Sequence, residues 1–313
     1  MFRILRIAAV ALLVLPAVAS AQEVVAPDPE AREATTLDGT LVWISGAAPG
    51  QTLMQRSRDG VVGPVKGAAE ARFYRSPDLG RDASGRLVLT YVRCESRCVS
   101  MRDDLAGTRT PLRGYALKNC SLATAPSLWR RRAAYGLSCF KRVDGRRIAD
   151  DTRTGLYVRT GTGTPRRLST PRQPRKYGIH DVTAADLRGN RVAAVYADIY
   201  SFQTTQDFDG TGRRTFLGAA SEGDGDGRIS GLALATAKTT WSLVNATHAG
   251  DPNETRLHRV VGPCHDWQSM DTPEDSQDFA AIDVAAAGSE LFLVVPGVGI
   301  VRHAYAPDKP CGT

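Results

Sequence analysis

Residues 87–91 read LVLTY, a short apolar run preceded by the turn-like RDASGR of residues 81–86. The same kind of run recurs as LVWIS from Leu41, AAYGL from Ala133, VAAVY from Val192, WSLVN from Trp241 and LFLVV from Leu291. Counted between first residues, the spacings are 46, 46, 59, 49 and 50. A second apolar position sits upstream of each run, at Leu37, Leu79, Leu128, Leu187, Leu234 and Val284. The connections between them (LDGT, RDASGR, LRGN, AAAGSE) are rich in Gly, Asn and Asp, which accept the positive φ of tight hairpins. Downstream come further strand-like runs: TLMQRS from Thr52, CVSMRD from Cys98, GLYVRT from Gly155, TRLHRV from Thr255 and GIVRHAY from Gly299. In the fourth repeat RTFLGAA from Arg214 is the one candidate. Short runs bounded by Gly, Pro and Asp argue strand over helix. Strands repeating at about 50 residues predict an all-β chain, a six-bladed β-propeller of four-stranded antiparallel blades. The competing fold is a β-sandwich with irregular hairpins.

The repeat resembles the TolB-like and WD40-like propeller repeats of secreted bacterial proteins. SPDLGRDASGRLVLTY, residues 76–91, is similar to the TolB pattern of an SPDG-type turn followed by a strand. The resemblance spans the chain at the level of period and turns. It implies a fold and leaves the activity open, since propellers carry many functions.

The first 21 residues read as an export signal. Arg3 and Arg6 form the charged region, residues 7–19 the apolar region, and Ala19-Ser20-Ala21 a cleavage site before Gln22. Residues 22–36 read as an extended leader, part of which could pair with the last blade, and 37–313 as a single propeller domain. The expected location is therefore extracellular or periplasmic, with no membrane span and a monomeric state. The formal net charge is +7, from 34 arginines and six lysines among the cationic residues. The densest basic runs, Arg130 to Arg132 and residues 165–176, lack the interleaved aromatics of a base-stacking surface. This argues against nucleic acid as a partner.

Six cysteines in an exported chain predict three bridges. Closeness in chain and in repeat position points to Cys94–Cys98, Cys120–Cys139 and Cys264–Cys311. No His or Cys pair accompanies Cys94 and Cys98 at zinc-site spacing.

The sharpest chemical signal is acidic. Glu222, Asp224 and Asp226, followed by Gly227 and Ile229, resemble a calcium loop in which alternate oxygens converge on one cation. Asp207 and Asp209 form a second D-x-D-G turn upstream. Position one is Glu222, and Ala233 stands where the bidentate acid would be, which predicts affinity on the order of 10⁻⁴–10⁻³ M. Calcium is thus the one cofactor expected.

His180, His248, His258, His265 and His303 belong to no nucleophile or metalloprotease motif. His180-Asp181 and His265-Asp266-Trp267 precede the fourth and sixth repeats, where chains reach a propeller face. Ser76-Pro77-Asp78-Leu79-Gly80 matches the first part of a sialidase Asp-box. No catalytic set is legible. The functional expectation is a non-catalytic secreted propeller binding a protein, glycan or small ligand. The alternative is a secreted hydrolase or lyase with its site at the central channel. A deep channel-mouth pocket with perturbed ionisable groups would favour the alternative; a shallow apolar face would favour a binder.

Overall fold

The computed structural model describes residues 22–168, 181–197, 201–211, 215–219, 221–222, 225–248, 251–271, 279–308 and 310. Among these the protein is all-β, without a helix, in a propeller-like arrangement of antiparallel sheets. No helix among them is long and apolar enough to cross a membrane.

Each of the six apolar runs read from the sequence lies in a strand, the second of its repeat. Thr40–Ser45 pairs on one side with Ala34–Leu37 and on the other with Thr52–Arg56, followed by Val62–Pro64. The same four-step order runs through Phe73–Arg81, Leu87–Cys94, Cys98–Asp103 and Arg109–Pro111. It recurs through Ser127–Trp129, Arg132–Val143, Gly155–Thr160 and Arg166–Arg167. These last two sets form one ten-stranded sheet, joined by the parallel bridge Trp129↔Arg81 and extended by Cys120–Leu122 and Arg146–Ala149.

The fourth repeat corrects the sequence reading. Its third strand is Ser201–Asp207, and Thr215–Ala219, part of the RTFLGAA run, is the fourth. SFQTTQD carries few apolar residues, so alternation did not reveal it; Ser201 to Gln206 are nevertheless buried. In the fifth repeat Gly225–Leu234, Thr239–His248, Asp251–Val261 and Cys264–Met270 follow in order. The segment read as a loop around Glu222 is a hairpin there, with Ser221↔Asp226 and Glu222↔Gly225 paired. His265-Asp266-Trp267 lies in that sheet's outer strand, where the sequence reading placed it on a connection.

The chain closes on itself. Asp283–Ala287, Glu290–Val295 and Gly299–Arg302 form three strands of a sheet whose fourth is Glu23–Pro27. Residues 22–36 thus supply that strand and also Ala34–Leu37, which opens the next sheet.

Strands buried on both faces explain why the motifs are continuous apolar runs. Leu41 and Trp43 pack on Phe292, Val294 and Ile300 of the closing sheet. Val42 and Ile44, pointing the other way, pack on Leu79, Leu89 and Tyr91 of the following repeat. Val88 meets Leu128, Tyr135 and Leu137; Ala134 and Val158 meet Leu187, Val192 and Tyr196. Leu243 and Leu257 meet Leu291 and Leu293. Each repeat therefore cannot bury its own faces and depends on its two neighbours. The innermost strands touch in sequence, Ala34–Leu37 on Phe73–Arg81 and on Asp283–Ala287, and so on round the axis.

Candidate functional site at the channel mouth

At the axis the inner strands come close enough that backbone meets backbone. A Cβ added at Gly80 would stand 2.0 Å from the Leu128 carbonyl oxygen. Polar side chains bridge what remains. Asp283 Oδ2 accepts the Ala34 amide at 2.7 Å, and Thr35 Oγ1 the Leu79 amide at 3.0 Å. Ser127 Oγ accepts the Leu187 amide at 2.9 Å, and Asp186 Oδ2 the Leu234 amide at 2.6 Å. Amides at the axis find no partner in their own sheet on that side, and a buried one left unpaired costs about 1–3 kcal/mol. These side chains satisfy them and lock neighbouring repeats in register.

The belt lines a cavity of about 510 Å3 at one end of the channel. Five carboxyl groups border it, Glu33, Asp78, Asp181, Asp186 and Asp283, with Arg75 and Arg188. Arg188 is 4% exposed and crosses the axis. Its Nε donates to the Leu234 carbonyl and its Nη2 to the Thr36 carbonyl, both at 3.1 Å. Its guanidinium carbon lies 5.6 Å from the Trp129 ring. Arg188 also borders the recess at the opposite end, beside Asp38 and Trp129, and so divides the channel. Its Nη1 and the Asp78 Oδ2 are buried without a protein partner.

Burial dominates the electrostatics. It pushes Asp78 up to about 7, helped by the adjacent Asp186 and opposed by Arg188. Burial likewise pushes Asp283 up to about 8, against the Ala34 amide, with Glu33 adding to the rise. Desolvation raises Glu33, opposed by the Ser76 amide that donates to it. Glu33 is exposed as a residue, so solvent screens that effect. Around neutral pH, Asp78 and Asp283 thus present carboxyl groups that both donate and accept hydrogen bonds.

The residues singled out from sequence fall largely elsewhere. The bridges Cys94–Cys98 and Cys120–Cys139 are formed. Cys311 lies outside the described residues, so Cys264–Cys311 does too. Asp207 pairs with Arg191 at 3.3 Å, and Asp209 accepts from the Thr211 amide and hydroxyl at 2.9 and 2.6 Å. Asp224 is outside the described residues, and for Glu222 and Asp226 only the backbone is described. No group of three or more His, Cys, Asp or Glu side chains among the described residues is arranged to hold a metal.

His180 is outside the described residues; Asp181 accepts the Ser138 hydroxyl at 2.8 Å on the cavity wall. His258 Nδ1 and His265 Nε2 are 2.8 Å apart on adjacent strands, and burial with the neighbouring His265 lowers His258 to about 4. His303 Nε2 meets Gln268 Oε1 at 3.0 Å. His258 and His265 sit on the outer strands of their sheet and His303 just beyond Gly299–Arg302; none of the three lines this cavity. Of the Asp-box match, Ser76, Pro77 and Asp78 line the cavity: the SPDLG stretch lies within the inner strand, at a bulge between Arg75 and Asp78.

Sequence reading missed Arg188, Asp186, Asp283 and Glu33. A signal was present: the inner apolar position follows an acid or a hydroxyl in Asp78-Leu79, Ser127-Leu128, Asp186-Leu187 and Asp283-Val284.

Comparison with known proteins is consistent with this architecture and is silent on activity. No protein-family model matches the chain, and no curated protein sequence matches it. No TolB or WD40 family match accompanies the narrower resemblance drawn from the sequence. Among solved structures, a protein of unknown function from Dyadobacter fermentans aligns at TM-score 0.52 and 11% identity. The alignment covers 90% of this chain and 96% of that one. A nidogen/laminin complex aligns at TM-score 0.48 and 14% identity, over 82% and 86% of the two chains. The lectin of Aleuria aurantia, described as a six-bladed β-propeller with fucose recognition, aligns at 0.45 and 12% identity, over 91% and 97%. Identities this low bear on the fold alone.

Proposed function

We propose that the protein is an exported six-bladed propeller that binds a small polar ligand in the cavity at its channel mouth. The blade count is supported by the division of the ten-stranded sheet into two four-strand sets that share only the Trp129↔Arg81 bridge. The two bridges Cys94–Cys98 and Cys120–Cys139 support export, because such bonds persist in oxidising compartments.

One observation carries the binding reading. Arg188 and Asp78 border the same cavity, and Arg188 Nη1 and Asp78 Oδ2 are buried without protein partners. Desolvated polar atoms of this kind are costly unless something hydrogen-bonds to them. A cavity of about 510 Å3 is in the range that encloses small ligands. Mixed donors and acceptors suit a ligand bearing hydroxyl, amide or carboxyl groups. The test is a thermal-shift screen with sugars, amino acids and dipeptides, followed by calorimetry on Arg188→Met and Asp78→Asn. A hit weakened tenfold or more by either substitution supports the reading. Hits that both variants retain, or no hit at all, overturn it.

A hydrolase or lyase is the second reading, favoured by the raised carboxyls themselves. A group poised near the working pH is suited to general acid or base chemistry, and Asp78 and Asp283 share one cavity. Turnover of a bound hit that disappears in Asp78→Asn, with affinity retained, would select this reading over simple binding.

A further inference from the structure

The third repeat carries a hairpin that its neighbours lack. Arg132–Val143 is 12 residues long, and beyond Cys139 it leaves the sheet to pair only with Arg146–Ala149. The turn is Asp144-Gly145, both at positive φ (49° and 75°), the geometry of a two-residue hairpin. Residues 141–149 are all exposed. At its base, Cys120–Cys139 staples the strand to Cys120–Leu122.

The composition of this hairpin is unusual for a surface turn. Cross-strand pairing puts Lys141 opposite Ile148 and Val143 opposite Arg146 on one face. Val143 and Ile148 are 44% and 42% exposed. On the other face Arg142 is opposite Arg147, whose guanidinium carbon stands 3.5 Å from the Phe140 ring centre. Lys141 and Arg146 thus flank two bare aliphatics on one face, with Arg142 and Arg147 on the other, against the single carboxylate of Asp144 within the hairpin. Of the described arginines elsewhere, Arg81, Arg86, Arg102, Arg109, Arg259 and Arg302 each meet a carboxylate. None of the four hairpin cations makes an ion pair among the described residues.

We propose that the 140–149 hairpin docks the protein onto an anionic lipid surface, with Val143 and Ile148 entering the headgroup layer. Charge complementarity selects an anionic partner. The exposed aliphatics among the cations favour lipid over an acidic polysaccharide, which would leave them in water; apolar side chains framed by Lys and Arg suit the bilayer interface. Ser138 and Leu122, at the hairpin's base, line the channel-mouth cavity, so docking would turn that mouth toward the membrane. The docking proposal does not depend on what the cavity binds.

Cosedimentation of the full protein with vesicles tests it. Phosphatidylglycerol-rich vesicles should retain the wild type at low salt, phosphatidylcholine vesicles should not, and high salt should release it. Neutralising Lys141, Arg142, Arg146 and Arg147 to Gln should reduce partitioning on the order of fivefold per charge. Val143→Ser with Ile148→Ser should weaken binding at unchanged charge. All six positions are on an exposed hairpin, and matching melting curves will show that the variants fold. The proposal is overturned if the wild type ignores anionic vesicles, or if either variant sediments as the wild type does. It is overturned equally if heparin beads retain the wild type while the aliphatic variant binds vesicles undiminished.

Discussion

Asp283 Oδ2 accepts the backbone amide of Ala34 at 2.7 Å, joining residues 249 positions apart. The bond sits at the seam where the end of the chain meets its beginning, alongside the pairing of Glu23–Pro27 with Gly299–Arg302. Closure thus rests on a strand pairing at the rim and on a carboxyl group at the axis.

That carboxyl makes stability depend on pH. Burial holds Asp283 at about 8 and Asp78 at about 7 in the folded state, above the ordinary 3.8. These two groups therefore bind more protons in the folded protein than in the unfolded chain between about pH 4 and 8, and their contribution to stability falls as pH rises through that window. His258, lowered to about 4, contributes in the opposite sense below about pH 6.5. The slope approaches about 1.4 kcal/mol per pH unit for each group. In urea melts at stepped pH, the stability of the wild type relative to Asp283→Asn, which keeps an acceptor for Ala34, should decline as pH rises. Parallel profiles for the wild type and Asp283→Asn between pH 5 and 8 would contradict the assignment.

Asp82 behaves in the opposite sense. Burial pushes it up, but bonds from Ser84 and Arg86 outweigh that and hold it at about 2. One oxygen accepts from the Ser84 hydroxyl at 2.6 Å and the Arg86 amide at 3.0 Å; the other meets Arg102 at 2.8 Å. Its contribution is present above about pH 4 and lost as pH falls toward 2. Asp82→Ala should cost about 2–3 kcal/mol by leaving these donors unpaired, and differential calorimetry at neutral pH would measure it.

Gly80 has no room for a methyl group. A Cβ there would collide with the Leu128 carbonyl, which is backbone and cannot rotate away. Gly80→Ala should cost at least about 1–3 kcal/mol through forced separation of two inner strands. An unchanged melting temperature would mean that the strands are less tightly apposed.

The two bridges should differ in worth. Cys120–Cys139 closes 19 residues and Cys94–Cys98 only 4. Loop-closure entropy assigns them about 3 and 2 kcal/mol respectively. Replacing each pair by serines, with denaturation read by fluorescence, should rank the longer loop as the greater loss. Loss of the longer bridge should also raise proteolysis within the 140–149 hairpin that it staples.

The sequence by itself determined the all-β class, the second strand of every repeat and the two near-neighbour bridges. Each rests on local information: a five-residue apolar run buried on both faces, a Gly- or Asp-bearing turn, cysteines a hairpin apart. It also marked Leu79, Leu128, Leu187, Leu234 and Val284, whose preceding residues form much of the axial belt, without revealing what those residues do. Tertiary structure decided the rest. Asp78, Asp186, Arg188 and Asp283 lie in three repeats and share no motif; closure of the ring brings them to one cavity. The raised acidity of Asp78 and Asp283 has the same origin, since desolvation and a neighbouring charge belong to no single segment. SFQTTQD escaped notice because its burial comes from the sheets on either side, whereas its composition reads as surface. The acidic turns drew attention because carboxylates adjacent in sequence are easy to see, and the structure gives Asp207 and Asp209 partners of their own. A channel site is assembled from one or two residues per repeat, so its chemistry becomes visible only after the chain has come full circle.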